Sequence, residues 1–202
     1  MKITMDSPLD QRYEHLYNVI SSPKFLEMEG LGKEVPFFIC PFSPKETKEM
    51  MDAVQGLKRQ LELKGIRVLL INLYDLSIEI MQAHGIWERI LNSESELSKP
   101  VLREMLQNVL DPEKYLIPGI TDQIEGRFFD VLFLTGIGEV FPYIRSHTVL
   151  NNLQSKVKDF PTVMFYPGNY ILSAEGGTFL ELFGRLHDAN YYRAFNIYER
   201  QK

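Results

Sequence analysis

The residues that invite chemistry begin at Thr135-Gly136-Ile137-Gly138, where an apolar run stops and the glycines let the backbone turn sharply and come close to another group. Arg145-Ser146-His147 follows soon after, and Arg145 has the planar fork that holds a carboxylate or phosphate through two hydrogen bonds. The competing reading makes Arg145 a helix-start residue paired with Glu139 or with a carbonyl. Pro167-Gly168-Asn169-Tyr170 ends another apolar run. Tyr191-Tyr192-Arg193-Ala194-Phe195 alternates large aromatics with other residues, so one face packs while the other presents Tyr and Arg, types enriched at protein interfaces. The competing reading of that stretch is an edge strand using its aromatics for ordinary packing. A stacking platform for single-stranded nucleic acid is disfavoured by the acidic balance of the chain.

No complete catalytic constellation accompanies these residues. A P-loop needs Gly, four spacers, Gly-Lys and a hydroxyl residue, so that backbone amides cradle phosphate. Here Gly32-Lys33 is followed by Glu34 and lies ahead of the first predicted strand rather than behind it. Gly136-x-Gly138 starts like a dinucleotide fingerprint, but Phe141 fills the third glycine position and Pro142 disturbs a helix start. His15, His84, His147 and His187 stand apart without metal-ligand spacing, and there is no Gly-x-Ser-x-Gly elbow. Cys40, the one cysteine, ends an apolar run, which suits a buried inert thiol better than a nucleophile. We therefore assign no catalytic residue, no metal ligand and no cofactor. The candidate crevice or ligand-binding set is Thr135, Gly136, Gly138, Arg145, Pro167, Gly168 and Asn169; the candidate partner-binding set is Tyr191, Tyr192 and Arg193.

These residues need elements to position them. Leu9, Tyr13, Leu16, Tyr17 and Ile20 share a helical face that ends near Ser21-Ser22-Pro23. Val35-Pro36-Phe37-Phe38-Ile39-Cys40 reads as a first strand bounded by Pro41. Ser43-Pro44-Lys45-Glu46 then predicts a helix opened by a capping box, continued by Met50, Met51, Val54, Leu57 and Leu61 and stopped at Lys64-Gly65. Arg67-Val68-Leu69-Leu70-Ile71 is a second buried strand, parallel to the first through a right-handed crossover. Asn72 caps a helix bearing Leu73, Leu76, Ile80 and Ala83 that closes at His84-Gly85. Residues 86–126 predict an interrupted helical insertion, punctuated by Asp111-Pro112 and Pro118-Gly119. The central strand Val131-Leu132-Phe133-Leu134 follows, then a helix carrying Val149, Leu150, Leu153 and Val157, a strand over Thr162-Val163-Met164-Phe165-Tyr166, and a closing strand.

Strands alternating with helical patterns predict a three-layer, Rossmann-like α/β fold, a mostly parallel sheet with helices on both faces, over one domain spanning residues 1–202. In such sheets ligands bind beyond the carboxyl ends of the strands at a topological switch point. The turns at Cys40-Pro41-Phe42-Ser43, Asn72-Leu73-Tyr74-Asp75, Thr135-Gly136-Ile137-Gly138 and Pro167-Gly168-Asn169-Tyr170 are therefore expected to converge on one edge as a pocket or docking groove. Turns use Gly, Pro and Asn for backbone reasons alone, which is the alternative.

Composition bounds the rest. A hydrophobic fraction of 45% and a charged fraction of 24% are those of a soluble globular chain. A net charge of -5 argues against a general grip on nucleic acid, although it leaves room for a local basic patch. One cysteine forms no internal disulfide, and no stretch approaches the roughly 18 apolar residues that span a bilayer. A cytoplasmic protein without a membrane partner is the expectation. Oligomeric state is not written in these features.

Four segments in order, LGKEVPFFICPFSP, LTGIGEVFPYIRSHTVLNNLQ, PTVMFYPGNY and DANYYRAFNI, resemble the BrxB family, the B component of BREX bacteriophage-exclusion systems. The resemblance runs over nearly the whole chain, from about Tyr13 to Ile197, and is most specific at the glycine turn leading to Arg145, at Phe165-Tyr166-Pro167-Gly168 and at Asn190-Tyr191-Tyr192-Arg193. It implies a component of an antiviral defence system that blocks phage replication and marks host DNA by methylation through other subunits. The partners it implies are other BREX components: a large AAA-type ATPase, an adenine methyltransferase and, foremost, an alkaline-phosphatase-like protein of the PglZ family. The family is not known as an enzyme in its own right. Relatives often carry an acidic residue after the Pro-Gly turn; Asn169 stands there in this chain, which weakens a role for a carboxylate at that place. The residues and the resemblance together lead to a noncatalytic assembly or adaptor subunit. A nucleotide-binding or hydrolytic domain using the glycine turn is the alternative.

Overall fold

Apolar runs too short and too uniform for a helix become the strands of a sheet covered on both sides. The computed structural model describes residues 2–29, 36–172, 178–187 and 194–201. In chain order the elements are α1 (Leu9–Ile20), α2 (Pro23–Leu26), β1 (Phe37–Phe42), α3 (Thr47–Leu63), β2 (Val68–Asn72), α4 (Leu73–Ala83), α5 (Trp87–Ser93), α6 (Lys99–Val109), α7 (Ile117–Ile124), β3 (Val131–Thr135), α8 (Ser146–Lys156), β4 (Thr162–Leu172), β5 (Thr178–Leu182), β6 (Leu186–His187) and β7 (Phe195–Asn196).

Five of the described strands lie side by side in the order β2-β3-β4-β1-β7, every neighbouring pair parallel. Strand side chains alternate between faces. Phe37, Ile39, Leu132, Leu134, Met164 and Tyr166 join one core with α4, α7 and α8. Phe38, Cys40, Phe42, Val131, Phe133, Val163 and Phe165 join a second core with α1 and α3. The architecture is therefore the mixed, mostly parallel, three-layer α/β arrangement expected of a Rossmann-like fold. β1 and β2 are parallel but not adjacent, because β4 and β3 lie between them.

Local caps act as the residue types dictate. The Asn72 side chain accepts the backbone N–H of Tyr74 at 2.8 Å and opens α4 directly from the end of β2. Gly65 and Gly85 take left-handed φ values of 86° and 66° just past α3 and α4, and the N–H groups of Ile66 and Ile86 reach back to the carbonyls of Leu61 and Met81.

The structure corrects three expectations. The capping box at Ser43 does not form: a 3-10 turn over Pro44–Glu46 precedes α3, and the Ser43 side chain makes no cap bond. The Glu46 carboxylate is instead bonded at 2.9 Å by the buried Arg12 of α1, and a charge-assisted bond to a buried cation outweighs a capping bond. Cys40-Pro41-Phe42-Ser43 is not a turn, since β1 runs through Pro41 to Phe42. β7 pairs β1 only at Phe38 and Ile39, so beyond them one side of β1 needs no ladder donor among the described residues and tolerates proline. Pro167-Gly168-Asn169-Tyr170 is not a turn either: β4 leaves the parallel sheet after Pro167 and continues, antiparallel to β5, through Leu172.

Residues 86–126 are helical in their described elements but not uniform. Leu116, Ile117 and Ile120, in a π turn and in α7, are buried in the core, whereas α6 has no buried residue.

Candidate functional site

The α3 crossover leaves β1 onto one face of the sheet, while α4 and α8 leave β2 and β3 onto the other. That divergence defines the switch point, with β4 at its centre. A pocket of about 200 Å³ opens there, walled by Phe42, Met51, Ile137, Phe165, Pro167 and Phe183, with Thr47 and Glu139 as its polar members. Three candidate residues meet in it: Gly136, Gly138 and Pro167.

Both glycines are occupied by neighbouring protein atoms. Gly136 has φ 77°, and a Cβ there would fall 2.2 Å from the Asn72 Oδ1 that caps α4. A Cβ on Gly138 would fall 2.9 Å from Pro167 Cγ and 2.9 Å from the Phe183 ring. Close approach is what glycine permits; here the approaching groups are a helix cap, a proline and a phenyl ring. Phe183 is itself held at φ 57°, a region non-glycine residues rarely enter, with its N–H bonded to the Pro167 carbonyl at 2.9 Å and its ring edge-on to Phe141.

A second pocket, of about 270 Å³, lies beside the first and is lined by Phe141, Arg145, Ser146, Tyr166, Leu182, Arg185 and Leu186. Arg145 is the residue before α8, and Arg185 sits in the turn between β5 and β6. The β4–β5–β6 hairpin folds back and brings the two arginines, far apart in sequence, to one pocket. Neither guanidinium has an ion pair or hydrogen bond among the described residues, so the pairing of Arg145 with Glu139 is not formed. Glu139 uses its backbone carbonyl to accept the Tyr143 hydroxyl at 3.0 Å. Sequence reasoning missed Arg185 and Phe183, because nothing local marks a residue whose role comes from the strand it faces.

The remaining candidates go elsewhere. Thr135 is buried opposite Asn72 and touches a separate groove that also carries Asp52, Asp75 and Glu79. A Cβ on Gly168 would meet the Glu181 carbonyl oxygen at 2.1 Å, so this glycine serves the β4–β5 pairing. Asn169 donates its side-chain amide to the Glu181 carboxylate at 2.7 Å, a cross-strand bond on the same hairpin. Tyr191, Tyr192 and Arg193 lie outside the described residues. Phe42, the glycine turn and Pro167, from three of the four segments expected to converge, thus meet at the apolar pocket, Asn72 of the fourth abuts Gly136, and Arg145 lines the second pocket.

Burial pushes the Cys40 thiol up to about 12, against the smaller opposing pull of its 3.3 Å contact with the Tyr198 hydroxyl. Burial also pushes the Tyr198 phenol upward. Among the described residues no group of three or more His, Cys, Asp or Glu side chains stands close enough to hold a metal ion, and no helix is long and apolar enough to cross a membrane.

Comparison with known proteins sets this geometry in a family. The family model for BREX protein BrxB matches residues 69–197, from within β2 through β7, including both pockets' glycine and arginine segments. The chain is 31% identical over 196 residues to a BREX protein BrxB of Bacillus cereus (strain H3081.97), covering 95% of this chain and 98% of that protein. It is 27% identical over 193 residues to a BREX protein BrxB of Escherichia coli O9:H4 (strain HS), covering 96% of this chain and 93% of that one. No solved structure matches this chain. A family match over these core strands and near full-length likeness to two relatives lead to one conclusion: the chain belongs to the BrxB family of BREX system components.

Proposed function

We propose that the chain serves its BREX system as a noncatalytic assembly or adaptor subunit, a one-domain cytoplasmic protein acting through protein contacts, with a PglZ-like protein as its foremost partner. The observation that carries this reading is the state of the switch-point crevice. The place where an α/β enzyme holds its ligand is here a small apolar pocket whose glycines are filled by Asn72, Pro167 and Phe183. Its titratable member, Glu139, is exposed at the rim. Bond-making chemistry needs a nucleophile or an acid–base pair placed on a substrate; an apolar wall beside arginines that have no partner among the described residues suits recognition of another protein. Asn72, Pro167 and Phe183 standing against the glycine turn weigh against the nucleotide-binding alternative.

The test is co-purification of the tagged full chain with each component of its own BREX system. Stable retention of the PglZ-like protein is expected, and a Tyr192→Ala, Arg193→Ala double variant that still folds reports whether the terminal segment contributes. Failure to retain any component, or hydrolysis of a nucleotide or phosphoester by the purified chain, would overturn the reading.

A further inference from the structure

The pocket between Arg145 and Arg185 holds two cations with no counter-ion among the described residues, in a chain of net charge -5. We infer that it binds a carboxylate side chain, an Asp or Glu with an apolar neighbour, presented by an acidic segment of a protein partner. This rests on the adaptor reading and names the chemistry of its docking site.

Four donors point to an anion. Arg145 and Arg185 each offer a planar fork that fits a carboxylate bidentately. Ser146 is 8% exposed, lines the pocket, and its hydroxyl makes no hydrogen bond among the described residues. The hydroxyl oxygen is not sealed from solvent, so it is free to donate to a ligand in the pocket. Ser146 is also the first residue of the 11-residue α8, whose N-terminal amides receive no side-chain cap. The helix dipole favours negative charge at that end. Among the described residues no Asp or Glu lines the pocket to satisfy these groups from within.

The apolar wall selects the kind of anion. Phe141, Leu182 and Leu186 border the arginines, and Leu186 is 41% exposed. A free phosphate gains nothing from exposed leucine, whereas a Glu flanked by Leu or Met covers it and leaves the carboxylate on the arginines. The volume of about 270 Å³ is just under the roughly 300–1,000 Å³ of small-molecule sites and accommodates a side chain with its neighbour. Arginine beside aromatic and aliphatic surface is also the composition of binding hot spots.

The experiment uses the full chain and a short fluorescein-labelled peptide alternating Glu and Leu, with a Lys/Leu peptide as control, read by fluorescence anisotropy. Binding of the Glu/Leu peptide is expected, weakened about tenfold or more by Arg145→Ala and by Arg185→Ala and less by Arg145→Lys, which keeps the charge but not the fork. Circular dichroism verifies that each variant is folded. Absence of binding, equal binding by the double alanine variant, equal affinity for the Lys/Leu peptide, or displacement by inorganic phosphate at peptide concentration overturns the inference. In parallel, a double variant that retains the BREX partner at the wild-type level overturns the inference and leaves the adaptor reading standing. If the wild type retains no component, the adaptor reading falls and the peptide titration alone decides the pocket.

Discussion

Two pockets sit side by side on one edge of the sheet, divided by the edge-to-face contact of Phe141 and Phe183, and they are built on opposite terms. At the first, sequence features that look functional, paired glycines after a central strand, are consumed by the protein's own side chains. At the second, an arginine with an ordinary local explanation loses that explanation and gains a companion from the hairpin. The difference teaches that a glycine motif reports closeness of approach without saying what approaches. A charged residue, by contrast, becomes informative when its counter-ion fails to appear.

The sharpest way to break this comparison is to add a methyl group where the protein already fills the space. Gly168→Ala and Gly136→Ala are each expected to lower stability by about 2–4 kcal/mol in urea unfolding, the first through the Glu181 carbonyl and the second through a left-handed backbone pressed against the Asn72 cap. A near-neutral Gly136→Ala would mean that the first pocket is open enough to receive a ligand. Phe183→Ala is expected to cost about 1–3 kcal/mol for a half-buried ring, and Phe183→Gly to be the milder change of backbone by about 1 kcal/mol, because φ 57° favours glycine. Unfolding midpoints of the two variants give the sign.

The cationic pocket should behave in the reverse way. Arg145→Ala and Arg185→Ala are expected to change stability by no more than about 0.5 kcal/mol, since neither makes a bond that folding relies on. A large loss would reveal a structural arginine and sink the contrast. The smallest effect belongs to an arginine that has its partner. Arg67 donates to Asp130 at 2.8 Å and 3.0 Å, and this bonding foremost holds the Asp130 carboxyl below its ordinary 3.8. A depressed pKa stabilises the fold above the unfolded value and loses that contribution as pH falls through the folded value. Asp130→Asn is therefore expected to be slightly less stable than wild type at pH 7, with the gap closing as pH drops below about 4 and narrowing in high salt. A gap that widens in acid would contradict the assignment.

Much of the scaffold was legible because its causes are local. The buried runs at β1, β2, β3 and the first half of β4 needed only apolar residues without a helical period, and the ends of α3 and α4 needed only glycine at Gly65 and Gly85. Asn72 declared itself as a cap by type and place. The two false turns, at Pro41 and Pro167, arose because proline marks a missing donor, and whether a strand needs that donor depends on which neighbour lies alongside.

What the sequence determined alone, then, was the alternation of strands and helices, the identity of the core faces and, through ordered segments, the family. The tertiary structure decided strand order, the extension of β4 into a hairpin, the left-handed Phe183, and the meeting of Arg145 with Arg185. The physical reason is the range of the interactions involved. Backbone preference and apolar period act over a few residues, whereas a pocket shared by residues 145 and 185 exists only once β4 and β5 have paired and turned the chain back on itself.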